Sequence, residues 1–246
     1  MRGGLTDHHQ DGWGIAFFEG KGVRQFLDPL PSATSPIAEI VRNYPIKSKN
    51  VIAHIRKATQ GQVSLENTHP FTRELWGYYW VFAHNGNIPD FNATYTGAFR
   101  PVGTTDSEKV FCWMMQELER KYGRNKPTCE ELFTTLTELS LEIGSRGEFN
   151  FMLSNGEVLY AHCSTRLSYI VRKSPFPSAH LKDQDVTVDF SNITTATDRV
   201  AIIATTPLTD DETWTTLEPG TLTMFHEGKI STQSKTIPGP VKSEAS

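Results

Sequence analysis

The chain has 246 residues, 37% of them hydrophobic with 14 Phe and 5 Trp, which excludes wholesale disorder and allows a substantial core. A net charge of −4 without a long basic run argues against a nucleic-acid partner, and no apolar run reaches the length that crosses a bilayer, so no membrane is expected either. Three cysteines, an odd number without metal-type spacing, argue against a disulfide framework, and Met1-Arg2-Gly3-Gly4 lacks a signal peptide's apolar segment, so a reducing, cytoplasmic setting is expected.

In chain order, the glycine-rich opening contains His8-His9, which as neighbours in a strand would point to opposite faces and are expected to be solvent-exposed. Ile15 to Phe18 and Val23 to Leu27 predict a hairpin around Glu19-Gly20-Lys21-Gly22. Ser35-Pro36 has the pattern of a helix N-cap followed by Pro. Ile37, Ile40, Val41 and Tyr44 then lie at helical spacing before Pro45 stops them. Val51 to Arg56 predicts a strand with a polar end, and Asn67-Thr68-His69-Pro70-Phe71 a loop rich in hydrogen-bonding groups.

The apolar run Trp76 to Phe82 predicts a strand that His84-Asn85-Gly86 breaks, because Asn-Gly is the usual pair where the backbone turns. A strand ending there would present a side-chain amide and a backbone N–H on the same side, the two donors of an oxyanion hole; a plain hairpin turn is the other reading. Thr105-Asp106-Ser107-Glu108 predicts a capping box opening a helix with Val110, Phe111, Met114, Met115 and Leu118 on one face. Thr128 and Glu131 predict a second capping box, with Leu132, Leu136, Leu139 and Ile143 behind it and Gly144 and Gly147 ending it. Strands are then expected at 149–153, 158–163, 167–172, 186–190, 200–204 and 221–225, with a disordered tail over 231–246. Strands, two helices and strands again predict one α+β domain, over 1–230, of mostly antiparallel sheet.

Four polar clusters fall at element ends: His54/Arg56/Thr59, Asn67/His69, His84/Asn85/Gly86 and Thr105/Asp106/Glu108. Side chains at the ends of elements on one side of a sheet can converge into a site. Each also has a structural explanation: a surface ion pair for Arg56, turn chemistry for His69 before Pro70, and helix-dipole compensation for Asp106. A metal site of His54, His69, His84 and Asp106 is conceivable, but no His-x-His or Glu-assisted spacing supports it.

Taken together, His54-Ile-Arg56-Lys-Ala-Thr59-Gln-Gly61, Asn67-Thr-His69-Pro70, His84-Asn85-Gly86-Asn-Ile88 and Thr105-Asp106-Ser107-Glu108 resemble the class II glutamine amidotransferase domain of the N-terminal-nucleophile hydrolases. Asp11-Gly12-Trp13-Gly14-Ile15 is similar to its early strand motif, and the chain is most like the stand-alone, YafJ-type group. The resemblance implies a four-layer αββα sandwich, two antiparallel sheets between helix layers. It also implies amide hydrolysis of glutamine or a related γ-glutamyl compound, with no cofactor.

Placed on this chain, the resemblance makes Arg56 the grip for the substrate α-carboxylate and Asp106 the partner of its α-ammonium. Asn85 and Gly86 become the oxyanion hole, and Thr59 and His69, with the Lys57 backbone, line the pocket. Position 57 is Lys where many relatives carry Trp, so its side chain inherits no role. The family's nucleophile is a cysteine at the mature N-terminus, with its own α-amine, of pKa about 8, as general base. No cysteine precedes Cys112, so the nucleophile and the strand that carries it would have to lie before Met1. Cys112, Cys129 and Cys163 are expected to be structural. Two functions follow as expectations: an amidohydrolase that feeds ammonia to water or to a separate acceptor subunit, or a glutamine-binding protein without catalysis.

Overall fold

The structure, a computed structural model, describes residues 10–58, 61–176, 178–182, 187–188 and 198–239. His8, His9 and Thr59 lie outside the described residues, as does most of the strand expected over 186–190. The chain opens with β1 (Trp13–Glu19) and β2 (Gly22–Asp28), then α1 (Pro36–Arg42) and β3 (Val51–Ile55). A single 3-10 turn at Leu65–Asn67 precedes β4 (Phe71–Leu75) and β5 (Tyr78–Asn87). The long helices α2 (Asp106–Tyr122) and α3 (Cys129–Gly144) come next, followed by β6 (Glu148–Ser154), β7 (Leu159–Cys163) and β8 (Ser168–Lys173). The rest is strand: β9 (Ala179–His180), β10 (Thr187–Val188), β11 (Arg199–Ala204), β12 (Thr215–Thr216), β13 (Thr221–His226) and β14 (Lys229–Lys235).

The centre is a six-stranded antiparallel sheet in the order β14-β13-β7-β6-β5-β4. Its inner strands β5, β6, β7 and β13 are largely buried on both faces, so much of their sequence reads as apolar runs rather than as strict alternation, whereas the edge strands β4 and β14 are more polar. In β5, Trp80 and Phe82 point to α2 and α3, where Phe82 stacks on Phe111 with ring centres 4.9 Å apart. Val81 and Ala83 point the other way, into a second core with Ala16, Phe18 and Ile52. That second core is closed by two three-stranded sheets, β2-β1-β3 and β11-β8-β12. Beyond them lies the thinnest layer. α1 has no buried residue and sits against β2, while Tyr44 just past it meets the rings of Phe17 and Phe26. The order helices, sheet, sheet, helix is that of the expected sandwich, with the outer helix layer reduced to one short element. The apolar stripe expected on α1 is accordingly unburied, with Ile40 exposed.

Three local expectations change. Trp76 is not in the strand: Trp76-Gly77, both with positive φ (60° and 76°), form the two-residue turn of the β4–β5 hairpin. The indole N–H of Trp76 donates to the Gly123 carbonyl at 2.8 Å, and this tertiary bond holds a bulky residue in a conformation it otherwise avoids. Asn85-Gly86 is not a turn, because β5 continues through Asn87, paired with Glu148. Ser231 to Lys235, expected to begin the disordered tail, form most of β14, an antiparallel edge strand on β13.

Candidate active site

β5 extends past its neighbour β4, whose first residue, Phe71, pairs with Phe82. From Ala83 to Asn87 that edge of β5 has no strand partner among the described residues. Strand alternation sends His84 to the helix side, where it is buried, and leaves Asn85 exposed on the opposite face. His84 bonds Ser107 Oγ through Nδ1 at 2.8 Å and the Glu148 carbonyl through Nε2 at 2.9 Å. A carbonyl can only accept, so Nε2 carries the proton and Nδ1 accepts from the Ser107 hydroxyl. Burial lowers the His84 pKa against the pull of Asp106 and the Glu148 carbonyl, so the ring is neutral at neutral pH. Gly86 makes room for this link: a Cβ there would lie 1.9 Å from the Glu148 carbonyl oxygen and 2.7 Å from His84 Nε2.

Asp106, the first residue of α2, is buried, and its carboxylate ties the helix to the end of β5. Oδ2 accepts the Ile88 N–H at 2.7 Å and Oδ1 the Ser107 N–H at 2.9 Å. Thr105 caps the helix, its Oγ1 accepting the Glu108 N–H at 3.3 Å. The expected capping box is only half made. Glu108 turns away to accept the N–H groups of Val102 and Gly103 at 3.1 and 2.6 Å and to pair with Arg73.

Arg56 follows β3 and is buried. Its guanidinium donates to the carbonyls of Asp11, Gly61 and Gln62 at 3.3–3.4 Å, long bonds that hold two chain segments around it. Burial lowers its pKa, while the negative charges of Asp11 and then Asp106 oppose that shift. Arg56 and Asp106 are joined through the loops between them: Arg56 holds the Gly61 and Gln62 carbonyls, Asn67 ties Gln62 to Thr104, and Thr105 and Asp106 follow directly, both buried. Asn67 braces the surrounding loops. Its Nδ2 donates to the Gln62 carbonyl at 3.0 Å and its Oδ1 accepts the Thr104 N–H at 2.8 Å.

His69 packs beside these groups, its ring 4.4 Å from that of His54 and 4.6 Å from that of Phe71. It is buried, and neither ring nitrogen has a hydrogen-bond partner among the described residues. Burial holds its pKa well below the usual value, and the neighbouring His54, His84 and Arg56, which would repel a proton placed on it, act in the same direction. Among the described residues no group of three or more His, Cys, Asp or Glu side chains is arranged to hold a metal ion.

Arg56, His69, His84 and Asp106 are thus neighbours in one electrostatic cluster, and Asn85 and Gly86 follow His84 directly on β5. Three contributors escaped the sequence-based reading. Asp11 binds the Ala58 N–H through Oδ2 at 2.7 Å. Asn150 and Thr205 both hold Asn85. Asp11 lies in a motif visible in the sequence, but the other two have no local signal. None of the cysteines is a member of the cluster. Cys112 lies on the buried face of α2 beside Arg73, Cys163 ends β7 near the Leu217 carbonyl, and Cys129 is exposed at the start of α3. Burial raises the Cys112 thiol and pushes Cys163 up to about 11.

A sandwich of antiparallel sheets with these motifs at the strand ends is the architecture of the class II glutamine amidotransferase domain. The chain belongs to the class II glutamine amidotransferase family, whose model matches residues 1–245. It is 52% identical to the Escherichia coli protein named "Putative glutamine amidotransferase YafJ", over 93% of this chain and 90% of that protein. The crystal structure of a predicted glutamine amidotransferase from Pseudomonas aeruginosa superposes with a TM-score of 0.78 at 45% identity, covering 94% of this chain and 90% of the other. Glutamine phosphoribosylpyrophosphate amidotransferase from Bacillus subtilis shares the fold, with a TM-score of 0.52 at 15% identity over 92% of this chain and 43% of its own length. No helix among the described residues is long and apolar enough to cross a membrane.

Proposed function

We propose that this chain binds the amino-acid end of glutamine, or of a related γ-glutamyl compound, and hydrolyses its side-chain amide when a cysteine at the mature N-terminus supplies the nucleophile. The observation that carries this reading is the buried Arg56 and the buried Asp106 at the site of the exposed Asn85 and the half-buried Gly86, on the open edge of β5. A guanidinium suits an α-carboxylate and a carboxylate suits an α-ammonium, so the pair recognises a zwitterion. Thr59 and His69 line the pocket in this reading.

In the reaction the thiol gives its proton to the α-amine of the same cysteine, and sulfur bonds to the amide carbon. The carbonyl oxygen becomes an oxyanion that the Asn85 amide and the Gly86 N–H stabilise. The C–N bond then breaks, the proton passes to the departing nitrogen as ammonia, and water cleaves the thioester to glutamate. No cofactor takes part. The ammonia is released to water, as in a glutaminase, or passed to an acceptor on a separate subunit. Three free cysteines fit a cytoplasmic setting.

The test is to extend the chain upstream to a Met-Cys start, incubate it with glutamine and assay glutamate and ammonia; a folded protein that releases neither rules the reading out. Arg56→Lys in that enzyme is expected to raise KM more than it lowers kcat, because the bidentate fork is lost. A second reading, glutamine binding without hydrolysis, draws on the placement of Cys112, Cys129 and Cys163 away from the cluster. Calorimetry on the chain as it stands separates the two: a heat of glutamine binding that disappears in Arg56→Ala supports a binder, and no heat with the parent argues against it.

A further inference from the structure

Asn85 is held at two points by residues far away in the chain. Its side-chain Nδ2 donates to Thr205 Oγ1 at 3.0 Å, and its main-chain carbonyl accepts from Asn150 Nδ2 at 3.0 Å. Neither holder is loosely placed. Thr205 follows Ala204, the last residue of β11, which pairs with Ser168 of β8. The loop that Thr205 opens is fastened by a largely buried ion pair, Arg172 donating to both carboxylate oxygens of Glu212 at 2.8 and 2.5 Å. Asn150 is locked in turn, its Oδ1 accepting the N–H groups of Ser164 and Thr165 at 2.9 and 3.0 Å.

We propose that Thr205 is a positioning residue for the oxyanion hole. Its hydroxyl oxygen accepts one of the two amide hydrogens of Asn85 and fixes the plane of the amide, leaving the second hydrogen for the oxyanion. The proposal rests on the amide-hydrolysis reading above. It is needed because the terminal torsion of an asparagine is broad, so an amide held only by its backbone spreads its donor over many directions. A donor displaced by about an ångström loses much of its effect on the transition state. Asn150 fixes the backbone and Thr205 the side chain, and only the second can be removed without disturbing the β5–β6 ladder.

The test uses the enzyme with an N-terminal cysteine and the variants Thr205→Val, Thr205→Ser, Asn85→Ala and the double variant Asn85→Ala/Thr205→Val. Valine keeps the shape and removes the acceptor; serine keeps the acceptor. Thr205→Val is expected to lower kcat about tenfold with KM unchanged, since Arg56 and Asp106 still hold the substrate. Thr205→Ser should stay within about twofold of the parent, and in the Asn85→Ala background the valine should cost nothing further. A Thr205→Val enzyme with the parent's kcat overturns the proposal, as does a tenfold loss that persists without the Asn85 amide. A folded parent that releases no glutamate overturns the hydrolysis reading, and the proposal with it.

Discussion

Gly86 carries no side chain because the space is already taken. An added Cβ would meet the Glu148 carbonyl at 1.9 Å and His84 Nε2 at 2.7 Å, and the first of these is backbone that cannot swing aside. Gly86→Ala must therefore separate β5 from β6 or break the His84 link. A loss of about 3 kcal/mol is expected, read as a lower urea midpoint. The buried histidines set the response to acid. His162 bonds the Phe149 carbonyl and Thr236, and burial brings its pKa down to about 4 from the ordinary 6.5. Between those values the unfolded chain binds a proton that the folded chain does not. The stability from keeping His162 neutral is therefore complete above about pH 6.5 and is lost as the pH falls toward 4. On the order of 3 kcal/mol is at stake in His162 alone, and His69 and His84 shift in the same direction. Urea titrations from pH 7 to pH 4 should show a falling midpoint, and a shallower fall in His162→Gln; parallel curves for the two proteins would show that His162 contributes nothing.

At the scale of elements, the start of α2 joins the helix to two loops, and its side chains divide the work unequally. Thr105 caps one N–H, a contribution of about 1 kcal/mol. Glu108 is buried, pairs with Arg73 of β4 and satisfies two loop N–H groups, so its removal strands a charge and two donors. Glu108→Ala is expected to cost about 3 kcal/mol and Thr105→Ala about 1, by chemical denaturation. Equal losses would restore the reciprocal cap that the sequence predicts. The caps and apolar stripes of α2 and α3 were legible because they are local: Thr105, Thr128 and the Val110-to-Leu118 face fall where periodicity puts them. β4 was not, since Thr72-Arg73-Glu74 interrupts its apolar character at the edge of the sheet. Trp76 takes its turn conformation from a bond to Gly123, and Asn85-Gly86 stays extended because β6 pairs with it. The clustering of Arg56 with Asp106 was accessible through the order of motifs, whereas the hold of Thr205 on Asn85 spans 120 residues and leaves no pattern in either neighbourhood.

The whole molecule is organised by the six-stranded sheet, one face against α2 and α3 and the other against two smaller sheets, and its last strand is the one the sequence hides best. Lys229-Ile-Ser-Thr-Gln-Ser-Lys235 alternates between exposed and half-buried positions, as an edge strand does, and has too few apolar residues to suggest a core element. Its structural role is nevertheless wide. β14 covers the edge of β13, Thr236 donates its amide to Gly220 and bonds His162, and the Gly239 amide reaches the Ser164 carbonyl. Ser164 belongs to the turn that Asn150 holds while it also holds Asn85, so the C-terminal segment braces the turn behind the candidate oxyanion hole. Ending the chain at Gly228 would expose the full length of β13 as an unpaired edge, remove a partner from a buried histidine and release that turn. Such a protein is expected to unfold at clearly lower urea and to form soluble aggregates at concentrations where the parent stays dispersed, measured by denaturation and light scattering side by side. Ending it at Gly239 keeps every one of these contacts and serves as the control for the Gly228 truncation. If the Gly228 truncation matched the parent in both measurements, residues 229–239 would be a dispensable tail and the brace behind Asn85 would have to come from Asn150 alone.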